Sequence, residues 1–405
     1  MASIQKRGNS YRIKVSCGYD TGGKQVVQTM TWRPDADMTQ RQMEKEVNRQ
    51  AVLFEQECLK GSVTATVKFE DFAGRWFSEF AERSLKGHTL HNYRTVSQSV
   101  YDEIGHIRID KITKRHIQAF ALKLSDKEKK RGGGTYSSST IYKYLNMISS
   151  VFEYAVKLQL VGDNPCRNIF VPKKDPVQRK IYTVDEMGVF LKTLEDDAIR
   201  EPVKYYGYYI FFTLAVYTGF RKGELLGLEY RDIDFTTGMA TVSRASYYTP
   251  ERGTYTDTPK SEKSVRSLKL PQDIVEKVLR YQEWQRDYAA GLGSKWVECG
   301  RLFTSWDGSP LSPNSPGNFL SEYLDYNGLP HTNVHGFRHL NASLLISGGV
   351  DVKTVQACLG HSTAITTLNI YAHSFQEQQV KAMDVVADAI KLTAPKDTSK
   401  RKKTP

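Results

Sequence analysis

Apolar side chains at Tyr11, Ile13 and Val15 alternate with polar ones, stop at Asp20-Thr21-Gly22-Gly23 and resume at Val27, Met30 and Trp32, so the chain opens on a β-hairpin pattern. The period then changes. Val47, Ala51 and Phe54 keep a helical spacing from Thr39, an N-cap with Gln42 at the third helical position, to a stop near Gly61. A sheet and one helix of about 60 residues bury little core, which suits a module completed by binding something; a plain structural extension is the alternative.

Helical periodicity carries on from Phe69 to about Phe170 through Phe72, Trp76, Phe77 and Phe80, then Tyr93 to Ile104, Ile112 to Leu124 and Ile141 to Leu160, predicting four or five helices. Between the last two lies SDKEKKRGGGTYSSST, a charged, glycine-rich surface loop with Ser139 or Thr140 as cap of the next helix. Its Lys127, Lys129, Lys130 and Arg131 are candidate phosphate contacts, although a solvated charge run is the commoner meaning of such a stretch. Prolines from Asn164-Pro165 to Pro176, with lysines between them, break the helical pattern and mark the major domain boundary. Beyond it, a helix capped by Thr183 opens a mostly helical region interrupted by strands at Met239-Ala240-Thr241-Val242 and Ser267-Leu268-Lys269-Leu270. The end, APKDTSKRKKTP, is basic and reads as disordered, and no internal repeat is visible.

Charge narrows the class. The 405 residues hold 57 Lys plus Arg against 45 Asp plus Glu, a formal net charge of +12, which points to a polyanionic partner. No apolar run reaches membrane-spanning length and the start lacks a signal-peptide core, so nucleic acid is favoured over a membrane surface and a cytoplasmic location is expected. Cys17, Cys58, Cys166, Cys299 and Cys358 form no C-x-x-C pair and read as free thiols. The motifs of zinc hydrolases, P-loop NTPases and dinucleotide binders are missing, so no cofactor is expected.

The candidate chemistry lies in the last 200 or so residues. In YTGFRKGELLGLEYRDIDF, Arg221 follows a Thr-Gly turn at a helix start, where its fork and the free helix N-terminus both favour an anion, and Glu224 sits one turn on, able to orient a basic side chain. In TYTDTPKSEKSVRSLKL, a polar turn joins two strand-like pieces and leaves Lys260 on the hairpin, within reach of a leaving group. His335 and Arg338 open a helix at a spacing that shares a face, Leu359-Gly360 ends another by glycine capping, His361 follows, and Tyr371 lies on the short helix beyond. A metal site at His331, His335, His339, His361 and His373 is the rival reading, weakened by the lack of carboxylate or cysteine partners at ligand spacing.

These pieces, in this order, resemble the tyrosine recombinase or phage integrase family, with its T-G-x-R-x-x-E, hairpin lysine, H-x-x-R, L-G-H and tyrosine, and are similar to integrases of conjugative transposons. The catalytic match spans about Tyr182 to Tyr371, the upstream GHIRIDKITKRHIQAF and STIYKYLNMISSVFEYAV resemble the core-site-binding domain, and the N-terminal hairpin resembles the arm-site-binding domain. The resemblance implies Arg221 and Arg338 as a phosphate clamp, Lys260 and His361 as acids or donors, His335 as an acid-base or positioning group, Tyr371 as nucleophile and Glu224 as support. It implies a multidomain, mainly α fold with small β elements: an arm-site DNA-binding domain at 1–64, a helical core-site-binding domain at 65–171, a mixed α+β catalytic domain at 172–393 and a basic tail at 394–405. The implied activity is integration and excision of a mobile element, through a 3′-phosphotyrosyl intermediate and without metal or nucleotide. Implied partners are double-stranded DNA, further copies of the chain as a DNA-bound homodimer or homotetramer, and an excision directionality factor. The segment after Tyr371, with Val380, Met383, Ala387 and Ile390, packs on a neighbour or on its own domain. A type IB topoisomerase and a non-catalytic DNA-binding regulator are the alternatives, and the second leaves the six-part pattern unexplained.

Overall fold

Strands β1 (Ser3–Arg7), β2 (Ser10–Tyr19) and β3 (Gln25–Trp32) form one antiparallel sheet in that order. The structure is a computed structural model and describes residues 2–19, 25–35, 37–59, 67–128, 134–172, 182–257 and 265–360. β2 and β3 are the expected pair, whereas β1 was not anticipated. All five of its residues are exposed, so the edge strand shows no apolar alternation and is defined by backbone pairing, with Ile4 opposite Ile13. Helix α1 (Gln40–Leu59) covers one face, packing Val47, Ala51, Phe54 and Cys58 on Ile13 and Val15. As the sequence indicates, Thr39 and Gln42 join: the Thr39 N–H and hydroxyl donate to Gln42 Oε1 at 2.9 and 2.8 Å.

A helical module follows: α2 (Phe69–Trp76) runs through a π-helical turn into α3 (Glu82–Ser84), and α4 (Gly87–Val100), α5 (Lys114–Asp126) and α6 (Ser138–Lys157) complete it. Phe69, Phe72, Trp76, Ile117, Ile148 and Phe152 are among its buried residues. Ser137, rather than Ser139 or Thr140, caps α6. Its Oγ accepts from the Thr140 N–H, Tyr136 stacks on Tyr144, and Ser138 is held by a hydroxyl bond to the Pro172 carbonyl. Serines in a row offer the same capping chemistry, and these tertiary contacts choose between them. After α6, the buried Asn164 amide donates to Ser149 and Glu153 and accepts from the Cys166 N–H, anchoring the outgoing chain.

The chain divides into two compact units, Met1–Pro176 and Val177–Pro405. The second is built from α7 (Val184–Arg200), α8 (Pro202–Thr218), α9 (Lys222–Gly227), α10 (Gln272–Leu292), α11 (Ser315–Tyr326), α12 (Val334–Ser347) and α13 (Val352–Leu359). Apolar on nearly every side, α8 is the buried axis that α7, α10 and α12 surround. Five short strands form two sheets: β4 (Ile233–Asp234), β5 (Met239–Val242) and β8 (Arg266–Lys269) in one, β6 (Ala245–Thr249) and β7 (Gly253–Asp257) in the other. The fold is therefore mainly α with small β elements. All five cysteines are free thiols, and no helix among the described residues is long and apolar enough to cross a membrane.

Thr183 begins α7 with a reciprocal cap, its Oγ1 accepting from the Glu186 N–H at 3.2 Å and its own N–H donating to Glu186 Oε2 at 2.9 Å. Thr183→Ala should destabilise this unit by about 1 kcal/mol, enough to lower its thermal midpoint by roughly 2–4 °C in calorimetry of the full chain. An unchanged midpoint would mean that the cap contributes nothing.

Candidate active site

Helix α8 stops at Gly219, whose φ of +60° turns the chain; a Cβ there would lie 2.7 Å from both Asn341 Oδ1 and Leu359 Cδ2. Glycine is therefore required for conformation and for space. Two residues later Arg221 occupies the N-cap position of α9. Its backbone N–H donates to Glu224 Oε2 at 2.8 Å, its Nη1 to Glu224 Oε1 at 2.7 Å and its Nη2 to the Gly360 carbonyl at 2.7 Å. The first-turn carboxylate thus orients the arginine, as the T-G-x-R-x-x-E spacing suggested.

Arg338 arrives from α12 and is 3% exposed. Its Nη1 donates to the Gly219 carbonyl at 2.7 Å and its Nη2 to the Leu359 carbonyl at 2.6 Å. A third guanidinium, unanticipated from the sequence, completes the group: Arg266 at the start of β8 donates from Nη2 to Glu224 Oε2 at 2.9 Å and from Nε to the Cys358 carbonyl at 2.6 Å. Its guanidinium also covers the Phe220 ring at 4.7 Å. In sequence Arg266 is one cation among several in KSEKSVRSLKL, and only its alternation with Leu268 hinted at a fixed orientation.

Two of the cations, Arg221 and Arg266, thus share one buried carboxylate, and all three arginines hold carbonyls at the end of α13. Burial would raise the Glu224 carboxyl, but the hydrogen bond and charge of Arg266, together with Arg221, hold it below the usual carboxylate range. Burial first, and then the charge of Arg221, pull Arg338 down to about 9.

The remaining sequence candidates fall differently. His335 is exposed at the start of α12 while Arg338 is buried, so a three-residue spacing along the helix puts the two at different depths. The His335 ring meets His339 edge-on at 4.6 Å, and burial plus the neighbouring Arg338 lower the His339 pKa. Lys127 is exposed at the C-cap of α5. Lys129, Lys130, Arg131, Lys260, His361 and Tyr371, with His373, Val380, Met383, Ala387, Ile390 and the basic tail, lie outside the described residues. The hairpin expected around Lys260 needs correction: in the described residues β7 pairs with β6, and β8 pairs with β5. The buried Ala240 and Val242 of β5, with Leu268 packed on the same core, select that partner over the strand nearest in sequence. Among the described residues no group of three His, Cys, Asp or Glu could hold a metal, and His331 pairs instead with Asp325 at 2.9 Å.

Glu224 is the sole carboxylate described between the Arg221 and Arg266 guanidiniums, and its side chain is 4% exposed. Glu224→Ala should cost about 3–5 kcal/mol, because it strands the buried Arg266 cation without a counter-charge. Thermal denaturation at two salt concentrations checks this, and a loss below about 1 kcal/mol, the level of an exposed pair, would contradict it.

Comparison with known proteins identifies the family. The model of the Phage integrase family matches residues 182–378, and that of the Phage integrase SAM-like domain matches residues 72–171. A protein described as tyrosine recombinase XerC-like from Caldanaerobacter subterraneus subsp. tengcongensis is 27% identical, the match covering 93% of this chain and 96% of the relative. The ICEBs1 integrase of Bacillus subtilis is 24% identical over 96% of this chain and its own full length. Among solved structures, the Tn1549 transposon integrase in complex with transposon right end DNA superposes with a TM-score of 0.64 at 22% identity, covering 79% of this chain and all of that one. A lambda integrase tetramer bound to a Holliday junction reaches 0.53 at 18% identity, covering 91% of this chain and 94% of that chain. The arginine pair, the carboxylate beside it and these matches lead to one conclusion: the chain belongs to the phage integrase family of tyrosine recombinases and is similar to the integrases of conjugative transposons.

Proposed function

We propose that the chain integrates and excises a mobile element by cutting DNA with Tyr371 and holding the 3′ phosphate on that residue until a second strand end displaces it. The observation that carries the reading is the cluster of Arg221, Arg266 and Arg338 around Glu224, which holds an excess of positive charge directly before His361. A phosphodiester under attack gains negative charge on its nonbridging oxygens, and fixed cations in a partly dehydrated site stabilise that charge far better than water does. Arg221, with a side chain 41% exposed, and Arg338 behind it are the proposed clamp.

The rest of the chemistry follows from the bonds that change. The Tyr371 oxygen forms a bond to phosphorus and loses its proton, for which His335 is the proposed acceptor or positioning group. The bond from phosphorus to O5′ breaks and that oxygen takes a proton from Lys260 or His361. The phosphotyrosyl bond conserves the phosphodiester energy, so neither nucleotide nor metal enters the scheme.

Two further surfaces support binding to double-stranded DNA. On the N-terminal sheet, the face away from α1 aligns Gln5 with Arg12 and Thr31, and Ser3 with Lys14 and Thr29, a polar and basic strand face suited to a DNA groove. This is the proposed arm-site contact. Lys127, Lys129, Lys130 and Arg131 supply a second phosphate-binding stretch beside the proposed core-site module. Assembly as a DNA-bound dimer or tetramer, with a directionality factor in excision, belongs to the same reading, as does action where DNA is, in the cytoplasm.

The test uses DNA nicked near the cleavage point, so that the released fragment diffuses away, with denaturing electrophoresis to detect a protein–DNA adduct. Wild type should form it and Tyr371→Phe should not. Arg221→Ala and Arg338→Lys should retain DNA in a gel shift while adduct formation falls by about 10²-fold or more. An adduct with Tyr371→Phe would remove that residue as nucleophile, and binding without any adduct would favour a DNA-binding regulator.

A further inference from the structure

Arg266 lies outside the six-part pattern, yet the structure gives it a place between two parts of the site. Its side chain is 7% exposed and both of its described hydrogen bonds are to groups that other elements contribute, Glu224 of α9 and the Cys358 carbonyl of α13. The end of α13 is an unusual object. The carbonyls of Cys358, Leu359 and Gly360 each accept from a different arginine, Arg266, Arg338 and Arg221 in that order. Three neighbouring acceptors at a helix C-terminus would ordinarily turn to water. Gly360 has a φ of +64°, and a Cβ at this position would lie 2.9 Å from Arg266 Nη1, so the backbone presses against that guanidinium. The helix itself is short, Val352–Leu359, and packs mainly through Val355 and Leu359 on Ala342 and Ile346. The apolar side chains of its last turn are thus held from one side, and its terminal carbonyls are held by the arginines.

We propose that Arg266 is a positioning residue for leaving-group protonation: by bonding Glu224 and Cys358 together it sets the direction in which the chain leaves α13 towards His361. Arg266 also begins β8, six residues after Lys260 in the chain, so the same guanidinium anchors the strand that follows the other proposed donor. Arg221 and Arg338 act on the nonbridging oxygens, whereas Arg266 acts through the donors that serve O5′. This rests on the proposed strand-cleavage reading.

DNA carrying a 5′-bridging sulfur at the cleaved phosphate separates the two roles, because a thiolate leaves without needing a proton. Cleavage of normal DNA by Arg266→Gln should fall by about 10²-fold or more, the scale of a lost general acid. With the sulfur substrate the same variant should come within about 10-fold of wild type, while Arg221→Ala should stay impaired on both. Arg266→Lys, which keeps the charge without the fork, should show the same substrate-dependent recovery from a smaller deficit, and it carries the test if Arg266→Gln no longer binds DNA in a gel shift. Equal impairment on both substrates, unchanged cleavage of normal DNA, or failure of both variants to bind DNA would each overturn the proposal. A wild-type protein that forms no adduct with either substrate would instead sink the cleavage reading itself.

Discussion

A helix C-terminus carries partial negative charge and carbonyls with no partner inside the helix, and in this protein the end of α13 gives those carbonyls to arginines. Arg266 comes from β8, Arg338 from α12 and Arg221 from the start of α9, so the short helix gathers elements far apart in the chain. One carboxylate, Glu224, is the common counter-charge for Arg221 and Arg266. The arrangement tolerates buried cations because each guanidinium donates at least two hydrogen bonds to carbonyl or carboxylate oxygens. It also leaves an excess of positive charge, which is what a phosphodiester in transition requires.

The rigidity of this group comes from the core beneath it. Phe337, adjacent to Arg338, is wholly buried against Phe190 and Phe212, and α8 carries the chain through that core to Gly219. There the Gly219 carbonyl accepts from Arg338, and Asn341, one turn on along α12, donates to the Val216 and Tyr217 carbonyls. The C-terminal carbonyls of α8 are thus satisfied by α12, as those of α13 are satisfied by the arginines. Aromatic packing fixes the helices, and the helices fix where the guanidiniums stand.

Charge was readable in advance as an overall excess, but its division between binding and chemistry needed the coordinates. Pairing in register sets Gln5, Ser3, Thr31 and Thr29 beside Arg12 and Lys14 on one face, and β1 itself is invisible to periodicity since no residue in it is buried. Likewise Ser137 takes the cap of α6 where its neighbour Ser138 is tied to the Pro172 carbonyl, far from it in sequence.

The sequence alone determined the helical character of the two larger modules, the caps at Thr39 and Thr183, the turn at Gly219 and the pairing of Arg221 with Glu224, because each depends on residues within a few positions of one another. Tertiary structure alone decided that β8 joins β5 rather than β7, that Arg338 is buried while His335 is exposed, and that Arg266 belongs with the other two arginines. The physical reason is range: hydrogen bonds along a helix repeat at fixed spacing, whereas a guanidinium from residue 266 meets a carbonyl at residue 358 only once the core has brought their elements together.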